Sequence, residues 1–265
     1  MSVEDGTLRF VAAQSELMAA GDYAIPYQSV SMIILGPGTS ITHDVFRLCA
    51  RHSVLLAAVG RGGVKSYTAP PLGRGRSSVA RAHAQRWADK KMRLDTARRM
   101  YAWRFGRVLP HRDLDTLRGI EGARLKEAYR TIAARYGIRW KGRRYDRTNP
   151  NAADLPNQAI NHAATFVEAA ADLAVAAVGA LPPLGFIHED SSNAFTLDIA
   201  DLYRVELTLP LAFQAVKRIE KNSADSLERL IRYEAARSFR KFRLIPKMIE
   251  KIKELLDVDD GRCDS

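Results

Sequence analysis

Residues 185–203 read Gly185-Phe-Ile-His-Glu-Asp-Ser-Ser-Asn-Ala-Phe-Thr-Leu-Asp-Ile-Ala-Asp-Leu-Tyr203, with an imidazole ahead of two carboxylates among apolar side chains. Asp198 and Asp201 are three residues apart, so in a helix they share one face, about one turn apart. Apolar neighbours predict a buried helix, and two buried carboxylates repel each other unless a proton, a base or a cation lies beside them. His188 offers a nitrogen ligand, and one more acid would complete a site for Mg²⁺ or Mn²⁺. Alternatively, Asp198 only caps the helix and His188 is structural.

Glu121 is the natural candidate for the further acid. It lies in a segment, residues 113–136, whose apolar periodicity predicts a helix that Gly137 terminates. Gly119 and Gly122 flank it, although a glycine inside a helix costs about 1 kcal/mol relative to alanine. Two such glycines indicate that another backbone or a ligand approaches closely. The alternative is a surface ion pair between Glu121 and Arg124, three residues on.

Composition limits the classes of protein to be considered. The chain has 265 residues, of which 46% are hydrophobic, so it can bury a core. Its net charge of +11 and isoelectric point near 9.8 favour a polyanionic partner, first nucleic acid and then an acidic membrane surface. A proteome that is basic throughout would give the same balance.

The cysteines and the apolar runs indicate a reduced compartment. Cys49 and Cys263 are far apart, which argues against a disulfide framework and against a thiolate zinc site. The sequence shows neither a signal peptide nor an uncharged apolar run of about 18 residues. We therefore expect a cytoplasmic protein with no membrane partner.

The order of patterns predicts an α+β protein with a small N-terminal β domain followed by a larger α-helical catalytic domain. Residues 1–68 contain short runs rich in branched residues, bounded by Gly or Pro, around one helical segment. Residues 69–78, rich in Pro, Gly and Arg, predict a linker. Residues 79–265 are mostly helical in pattern. The predicted strands cover 8–11, 29–35, 53–59 and 64–68, and the predicted helices include 42–52, 79–105, 113–136 and 156–180.

Two basic regions are candidates for contact with phosphates. The first lies around the linker and the helix after it, and the second is an aromatic and basic loop that could also stack on a base. The candidate DNA-binding residues are Arg76, Arg81, Arg86, Arg139, Trp140, Lys141, Arg143, Arg144 and Tyr145. For the helical residues among them, a solvated face around a buried stripe is the alternative interpretation.

Several segments together resemble a known family, the CRISPR-associated integrase of the adaptation step, in its type I-E branch. The segments are Ile33-Ile-Leu-Gly-Pro-Gly-Thr-Ser-Ile-Thr-His43, Leu117-Arg-Gly-Ile-Glu-Gly-Ala-Arg124, Tyr136-Gly-Ile-Arg-Trp-Lys-Gly-Arg-Arg-Tyr-Asp146, Asn157-Gln-Ala-Ile-Asn161, Gly185-Phe-Ile-His188 and Leu197-Asp-Ile-Ala-Asp-Leu202. The resemblance covers nearly the whole chain, and the set is much more specific than any single motif.

The resemblance implies a fold, an activity and partners. It implies that Glu121, His188 and Asp201 bind the metal, Mg²⁺ or Mn²⁺, and that Asp198 is a second acid close to it in the catalytic site. It implies an endonuclease and integrase that inserts short duplex DNA into a CRISPR array and acts on branched DNA. It also implies a homodimer that assembles with a smaller second adaptation protein into a heterohexamer. Because only one short segment precedes Asp5-Gly6, we expect the family's opening strand to be missing.

Other functions stay open on the residues alone. A DNA-binding scaffold with a degenerate site would have the basic surfaces without the chemistry. A basic structural protein on RNA or a membrane would bind with no preference for DNA ends or branches.

Overall fold

The N-terminal region forms two small sheets, and the rest of the chain is helical, which confirms the predicted fold class. The computed structural model describes residues 1–15, 18–68, 77–111, 113–144, 153–221 and 226–258. The first sheet is antiparallel, in the order β1-β2-β3. Its strands are β1 (Ser2–Glu4), β2 (Thr7–Ala12) and β3 (Gly21–Ile25).

A strand does precede the Asp5-Gly6 turn, so the expectation of a missing first strand was wrong. Asp5 and Gly6 both have positive φ angles, 48° and 73°. Two such residues make the tight turn whose twist suits a two-residue hairpin. Three residues before that turn are enough to pair with β2, in the register Val3 opposite Leu8.

The second sheet contains the predicted strand–helix–strand unit. Its elements are β4 (Met32–Leu35), α1 (His43–Arg51), β5 (Leu55–Val59) and β6 (Ser66–Thr68). β4 pairs parallel with β5, and β6 pairs antiparallel with β5. Ala57 and Val59 on β5 pack against Leu173 of a long helix, so this sheet lies directly on the helical region.

The helical region begins earlier than predicted. Its elements are α2 (Ser77–Ala88), α3 (Lys90–Phe105), α4 (Leu114–Arg135), α5 (Leu155–Val178), α6 (Ala194–Asp201), a π-helix (Arg204–Thr208), α7 (Leu209–Lys221), α8 (Leu227–Phe242) and α9 (Leu244–Leu256). Ser77 and Ser78 of the predicted linker therefore belong to α2, and residues 69–76 lie outside the described residues. The helix predicted over 79–105 is two helices, because Asp89 caps α3 by accepting a bond from Met92 N.

The helix α5 is the centre around which the site is built. Asp154 caps its N-terminus, and Gly179 ends it in the left-handed conformation. Its alanines are buried along most of its length, which lets α6, α7, α8 and α9 pack closely against it. In the described part of the chain, no helix combines the length and the apolar character needed to cross a bilayer.

Candidate active site

Asp198, on α6, is fully buried against the loop that precedes this helix. Its Oδ2 accepts hydrogen bonds from the backbone N–H groups of Phe186 (2.6 Å) and Ile187 (3.0 Å). Its Oδ1 accepts from His188 N (3.0 Å) and from His188 Nδ1 (2.7 Å). Four donors use the lone-pair positions of both oxygens. Asp198 therefore orients His188 and its loop, and it lies inside α6, where the N-cap is Asn193.

Helix α2 holds the same loop from the other side. The His83 ring is fully buried, donates from Nε2 to Leu184 O (2.8 Å) and accepts from Leu181 N at Nδ1 (3.1 Å). Trp87 Nε1 donates to Gly185 O at 3.0 Å. Burial lowers the pKa of His83 to about 4, so the ring is neutral and has one donor and one acceptor nitrogen.

Gly185 is required by a close approach of backbone to backbone. A Cβ atom at this position would lie 2.1 Å from His188 O and 2.7 Å from Ala194 Cβ. Both distances are shorter than van der Waals contact. The loop can therefore close over Asp198 only with glycine here.

His188 is left with one ring nitrogen directed at the second aspartate. The bond from Nδ1 to Asp198 requires the proton on Nδ1, so in the neutral ring Nε2 carries the lone pair. Nε2 lies 3.7 Å from Asp201 Oδ2. The Asp198 hydrogen bond, and then the charge of Asp201, raise the pKa of His188, while burial opposes them. This is the arrangement in which a histidine serves as a metal ligand or a base.

Two arginines bind the remaining acids. Arg104 donates to Glu121 Oε1 through one terminal nitrogen, and its other terminal nitrogen lies 3.7 Å from Asp201 Oδ2. Arg204 donates to Asp201 Oδ1. Glu121 and Asp201 are mostly buried, with side chains 24% and 14% exposed. The arginines supply the positive charge that such closely placed carboxylates need.

The structure thus places His188 beside Asp198 and Asp201, and Arg104 links Glu121 of α4 to Asp201 of α6. Among the described residues, no three His, Cys, Asp or Glu side chains form a group that could hold a metal ion. The donor types nevertheless fit a divalent cation: two carboxylates, and an imidazole whose free nitrogen is fixed by a carboxylate behind it.

Among the described residues, neither a close backbone approach at the flanking glycines nor the alternative ion pair with Arg124 is found at Glu121. No other part of the described structure lies within 4 Å of a Cβ placed on Gly119 or Gly122, so no backbone approaches there. Glu121 pairs with Arg104 of a neighbouring helix, while the Arg124 guanidinium lies over the Phe105 ring, 4.6 Å from its centre. The glycines leave the surface beside Glu121 open.

The site opens into a cleft that continues as a basic groove. The cleft, of about 320 Å³, is lined by residues that include Glu121, Asp201 and Arg204. An adjoining groove of about 600 Å³ shares Leu125 and Arg204 with it. The cationic side chains that line the groove are Lys126, Arg130, Lys141, Arg143 and Arg204. A polyanion in this groove would lie next to the acids.

The predicted DNA-binding residues of the first basic region differ in their availability. Arg81 is exposed on α2. Arg86 donates to Leu256 O (3.0 Å) and to Asp257 (2.6 Å), so its charge fastens α2 to the end of α9. Its assignment to DNA is therefore not favoured by its contacts. Arg76 lies outside the described residues.

In the predicted loop, the aromatic residue has a structural partner. Trp140 stacks on Tyr129 with ring centres 5.1 Å apart and planes 5° apart, so it packs on the helices and is not a free platform for a base. Arg143 bonds Asn157 (3.0 Å) and Asn161 (2.6 Å) of α5, which fixes the loop. Arg139, Lys141 and Arg144 are exposed, and Tyr145 lies outside the described residues.

Sequence reasoning missed several charged residues at the site. Arg204 could have been found, because it follows Asp201 by three residues, the spacing of a helical ion pair. Arg104 carries no such signal, since it was one of many cations on its helix. Glu168 on α5 is a further acid that interacts with Asp201; burial and then the Asp201 charge raise its pKa. Lys126 and Arg130 gave no signal beyond a polar helix face.

Comparison with known proteins identifies the same region. Residues 104–230 match the family model described as CRISPR associated protein Cas1. CRISPR-associated endonuclease Cas1 1 of Rhodospirillum rubrum is 37% identical over 235 residues, covering 88% of this chain and 75% of that protein. CRISPR-associated endonuclease Cas1 of Escherichia coli strain K12 is 34% identical over 233 residues, with the same coverage.

Solved structures give the same result. A crystal structure of the TtCas1–DNA complex superimposes with a TM-score of 0.85 at 32% identity, covering 96% of this chain and 92% of that one. A casposase bound to its integration product superimposes with a TM-score of 0.67 at 16% identity, a likeness of fold alone.

Proposed function

We propose, from the premise that this chain belongs to the Cas1 family of CRISPR-associated proteins, that it is a DNA endonuclease and integrase of the adaptation step. The observation that carries the proposal is that Glu121 and Asp201 line a cleft adjoining a basic groove, with His188 Nε2 3.7 Å from Asp201 Oδ2. The groove would bind the DNA backbone, and the site would act on the phosphodiester delivered to it.

The reaction is a transfer of one phosphodiester bond to a new hydroxyl. A 3′-hydroxyl of the captured DNA attacks phosphorus at the repeat, a new P–O bond forms, and the bond to the repeat's own 3′ oxygen breaks. The attacking hydroxyl loses a proton, and the leaving oxygen takes one up, so the exchange is balanced. Water in place of the hydroxyl would give cleavage, and no covalent intermediate on the protein is needed.

Glu121, His188 and Asp201 would hold Mg²⁺ or Mn²⁺. The bound cation would lower the pKa of the attacking hydroxyl and neutralise charge at phosphorus. Asp198 keeps the His188 ring in one tautomer and one orientation through its bonds to the loop. Loops held at several points in this way keep a ligand in place without rearrangement during the reaction.

The phosphate-binding part of the proposal rests on the exposed cations near the cleft. Lys141 and Arg130 line the groove, and Arg204 lies where the groove meets the acids. Duplex and branched DNA are the substrates we propose, in the cytoplasm. We further propose that the protein is a homodimer which assembles with the smaller second adaptation protein into a heterohexamer.

A non-catalytic DNA-binding scaffold is the second candidate, and two observations favour it. Glu121 is bound to an arginine, and the described residues contain no ready metal cluster. Such a protein would bind branched DNA as well as an enzyme would, but it would not cut or join it.

A strand-transfer assay separates the two functions. A short duplex with 3′-hydroxyl ends is incubated with a supercoiled plasmid carrying the repeat, the small partner protein and Mg²⁺ or Mn²⁺. We expect joined product with the wild type and loss of product with His188→Ala. The matched control is His43→Ala, which removes an exposed imidazole at the start of α1 and should keep full activity.

Two results would contradict the proposed chemistry. Equal product from the wild type and from His188→Ala would place the chemistry elsewhere. Full activity of Glu121→Ala in either metal would remove Glu121 from the ligand set. Binding of branched DNA by all variants with no product from any would support the scaffold.

A further inference from the structure

A buried guanidinium lies between two of the acids that we assign to the metal. The Arg104 side chain, on the last turn of α3, is only 6% exposed. It donates from one terminal nitrogen to Glu121 Oε1 and from the other to Asp198 O (3.4 Å), and this second nitrogen lies 3.7 Å from Asp201 Oδ2. Its Nε is buried without a hydrogen-bond partner. The charges of Asp201, Glu121 and Asp198 therefore contribute strongly to holding this buried cation in place.

The same carboxylates are needed for a divalent cation. Oε1 of Glu121 is occupied by Arg104, and Oδ1 of Asp201 is occupied by Arg204. A guanidinium and a metal ion carry charge of the same sign and repel each other at short range. Arg104 and a metal ion therefore compete for Oε1 of Glu121.

We propose that Arg104 is a positioning residue that competes with the divalent cation for Glu121 and thereby sets the affinity of the site for metal. The proposal rests on the proposed function, because it takes Glu121, His188 and Asp201 as the ligands. Without metal, Arg104 keeps the two carboxylates together and offsets their repulsion. With metal, Arg104 gives up Glu121, and the affinity is lower by the strength of that contact.

The test is metal binding by the protein without DNA, so it does not depend on activity. Isothermal titration with Mn²⁺ is carried out on the wild type and on Arg104→Met, which has a flexible apolar side chain of similar length. Hydrogen bonds between charged groups are strong enough to change an equilibrium about tenfold or more. We therefore expect Arg104→Met to bind Mn²⁺ about tenfold more tightly than the wild type.

A matched control lies on the same helix. Arg99 on α3 bonds Asp257 at 2.9 Å and does not touch Glu121. Arg99→Met removes one charge by the same substitution, so it accounts for the change in overall charge. Its Mn²⁺ affinity should equal that of the wild type. Arg104→Lys keeps the charge but loses the fork, and it should bind Mn²⁺ with an affinity between those of the wild type and Arg104→Met.

A second measurement covers the case in which Arg104→Met does not fold. In the wild type, Mg²⁺ is titrated while the arginine side-chain NMR signals are followed, with Arg104→Lys used to assign the Arg104 resonance. Release from Glu121 should shift that resonance at the Mg²⁺ concentrations that fill the site. An unchanged Arg104 resonance at saturating Mg²⁺ would refute the competition.

The outcomes separate this inference from the proposed function. If the wild type binds Mn²⁺, Glu121→Gln does not, and Arg104→Met binds no more tightly than the wild type, then only the role of Arg104 is wrong. If the wild type and Arg104→Met both fail to bind Mn²⁺, the metal site itself is wrong. Weaker binding by Arg104→Met would mean that Arg104 supports the metal instead of competing with it.

Discussion

Acidification should destabilise the protein through one buried histidine, His83, which is central to the contact between α2 and the loop of the site. The pKa of the folded protein's His83 is about 4, against 6.5 for an ordinary histidine, and burial is the main cause. A lowered histidine pKa means that the unfolded chain binds the proton more readily than the folded one. The stability is therefore full above pH 6.5 and is lost as the pH falls towards 4.

The magnitude follows from the difference between the two pKa values. One pKa unit corresponds to about 1.4 kcal/mol, so His83 alone should lower the free energy of unfolding by about 3 kcal/mol between pH 7 and pH 4. Roughly 2 kcal/mol of this should already be lost at pH 5. This loss is a sizeable part of the free energy of unfolding of a whole domain, which is typically about 5–15 kcal/mol.

Other groups titrate in the opposite sense and must be removed by comparison. His188 has a raised pKa because of its bond to Asp198, so its contribution is present at low pH and is lost as the pH rises. Glu168 and Asp172 have pKa values raised by burial, and their contributions have the same sign as that of His188. The pH dependence of the wild type alone would mix the contributions of all groups whose pKa values change on folding.

The assay is urea denaturation from pH 7.5 to 4.5, followed by tryptophan fluorescence, for the wild type and for His83→Gln. Trp87 is a suitable probe because it donates to the same loop. Glutamine supplies a donor and an acceptor but does not titrate. The contribution of His83 is therefore the difference between the two proteins in how the free energy of unfolding depends on pH. The free energy of unfolding of the wild type should fall relative to that of His83→Gln by about 2 kcal/mol from pH 7 to pH 5. If the difference in free energy of unfolding between the two proteins stays constant within about 0.5 kcal/mol, the assignment of a buried, neutral His83 is refuted.

Two further substitutions test the geometry around His188. Asp198→Asn should weaken Mn²⁺ binding and strand transfer by roughly 10–100-fold. The reason is that the amide must present a donor to N–H groups that need an acceptor. An Mn²⁺ affinity equal to that of the wild type in titration calorimetry would contradict the positioning role of Asp198. Gly185→Ala should lower the free energy of unfolding by about 2 kcal/mol or more, because its Cβ would lie 2.1 Å from His188 O and 2.7 Å from Ala194 Cβ; an unchanged denaturation midpoint would show that the loop can yield.

Local signals in the sequence predicted the helices that surround the site. Gly137, predicted to terminate α4, follows its end with a φ of 67°, and Asp113, predicted as the first helical residue, is the N-cap that accepts a bond from Thr116 N. Both features depend on residues only a few positions apart, so a single sequence reveals them. The strand β3 was not predicted, because it lacks such a local signal. Asp22, Tyr23 and Ala24 show no clear alternation of polar and apolar residues, and pairing with β2 decides their conformation.

Partners that lie far apart in sequence could not be predicted. Arg86 was assigned to DNA because it lies in a basic helix, but its partner Asp257 comes 171 residues later. Trp140 was assigned to a base, but Tyr129 and Phe213 receive its ring in the folded chain. A count of cations or aromatic residues in the sequence therefore overestimates how many are free to contact a ligand, because some of them contact other parts of the folded protein.

The spacing of the two aspartates was informative but incomplete. It placed Asp198 and Asp201 on one helix near His188, which the structure bears out. One turn nevertheless separates their surroundings: Asp198 meets the backbone N–H groups of the loop, whereas Asp201 meets two guanidinium groups. Which carboxylate faces the loop depends on how the loop closes at Gly185, and no spacing in the sequence encodes that closure.

The acids and the imidazole of the site are held by different means, and this difference has a chemical consequence. His188 is fixed by Asp198, which is itself held by three backbone N–H groups, so moving the ring means unfolding the loop. Glu121 and Asp201 instead contact a side chain, that of Arg104. Changes in the affinity for metal without a loss of stability should therefore arise from substitutions of Arg104, whose contacts with the acids are made by side chains alone. Changes at Asp198 should instead affect stability and affinity together, because the same carboxylate holds the fold of the loop and the direction of the ring.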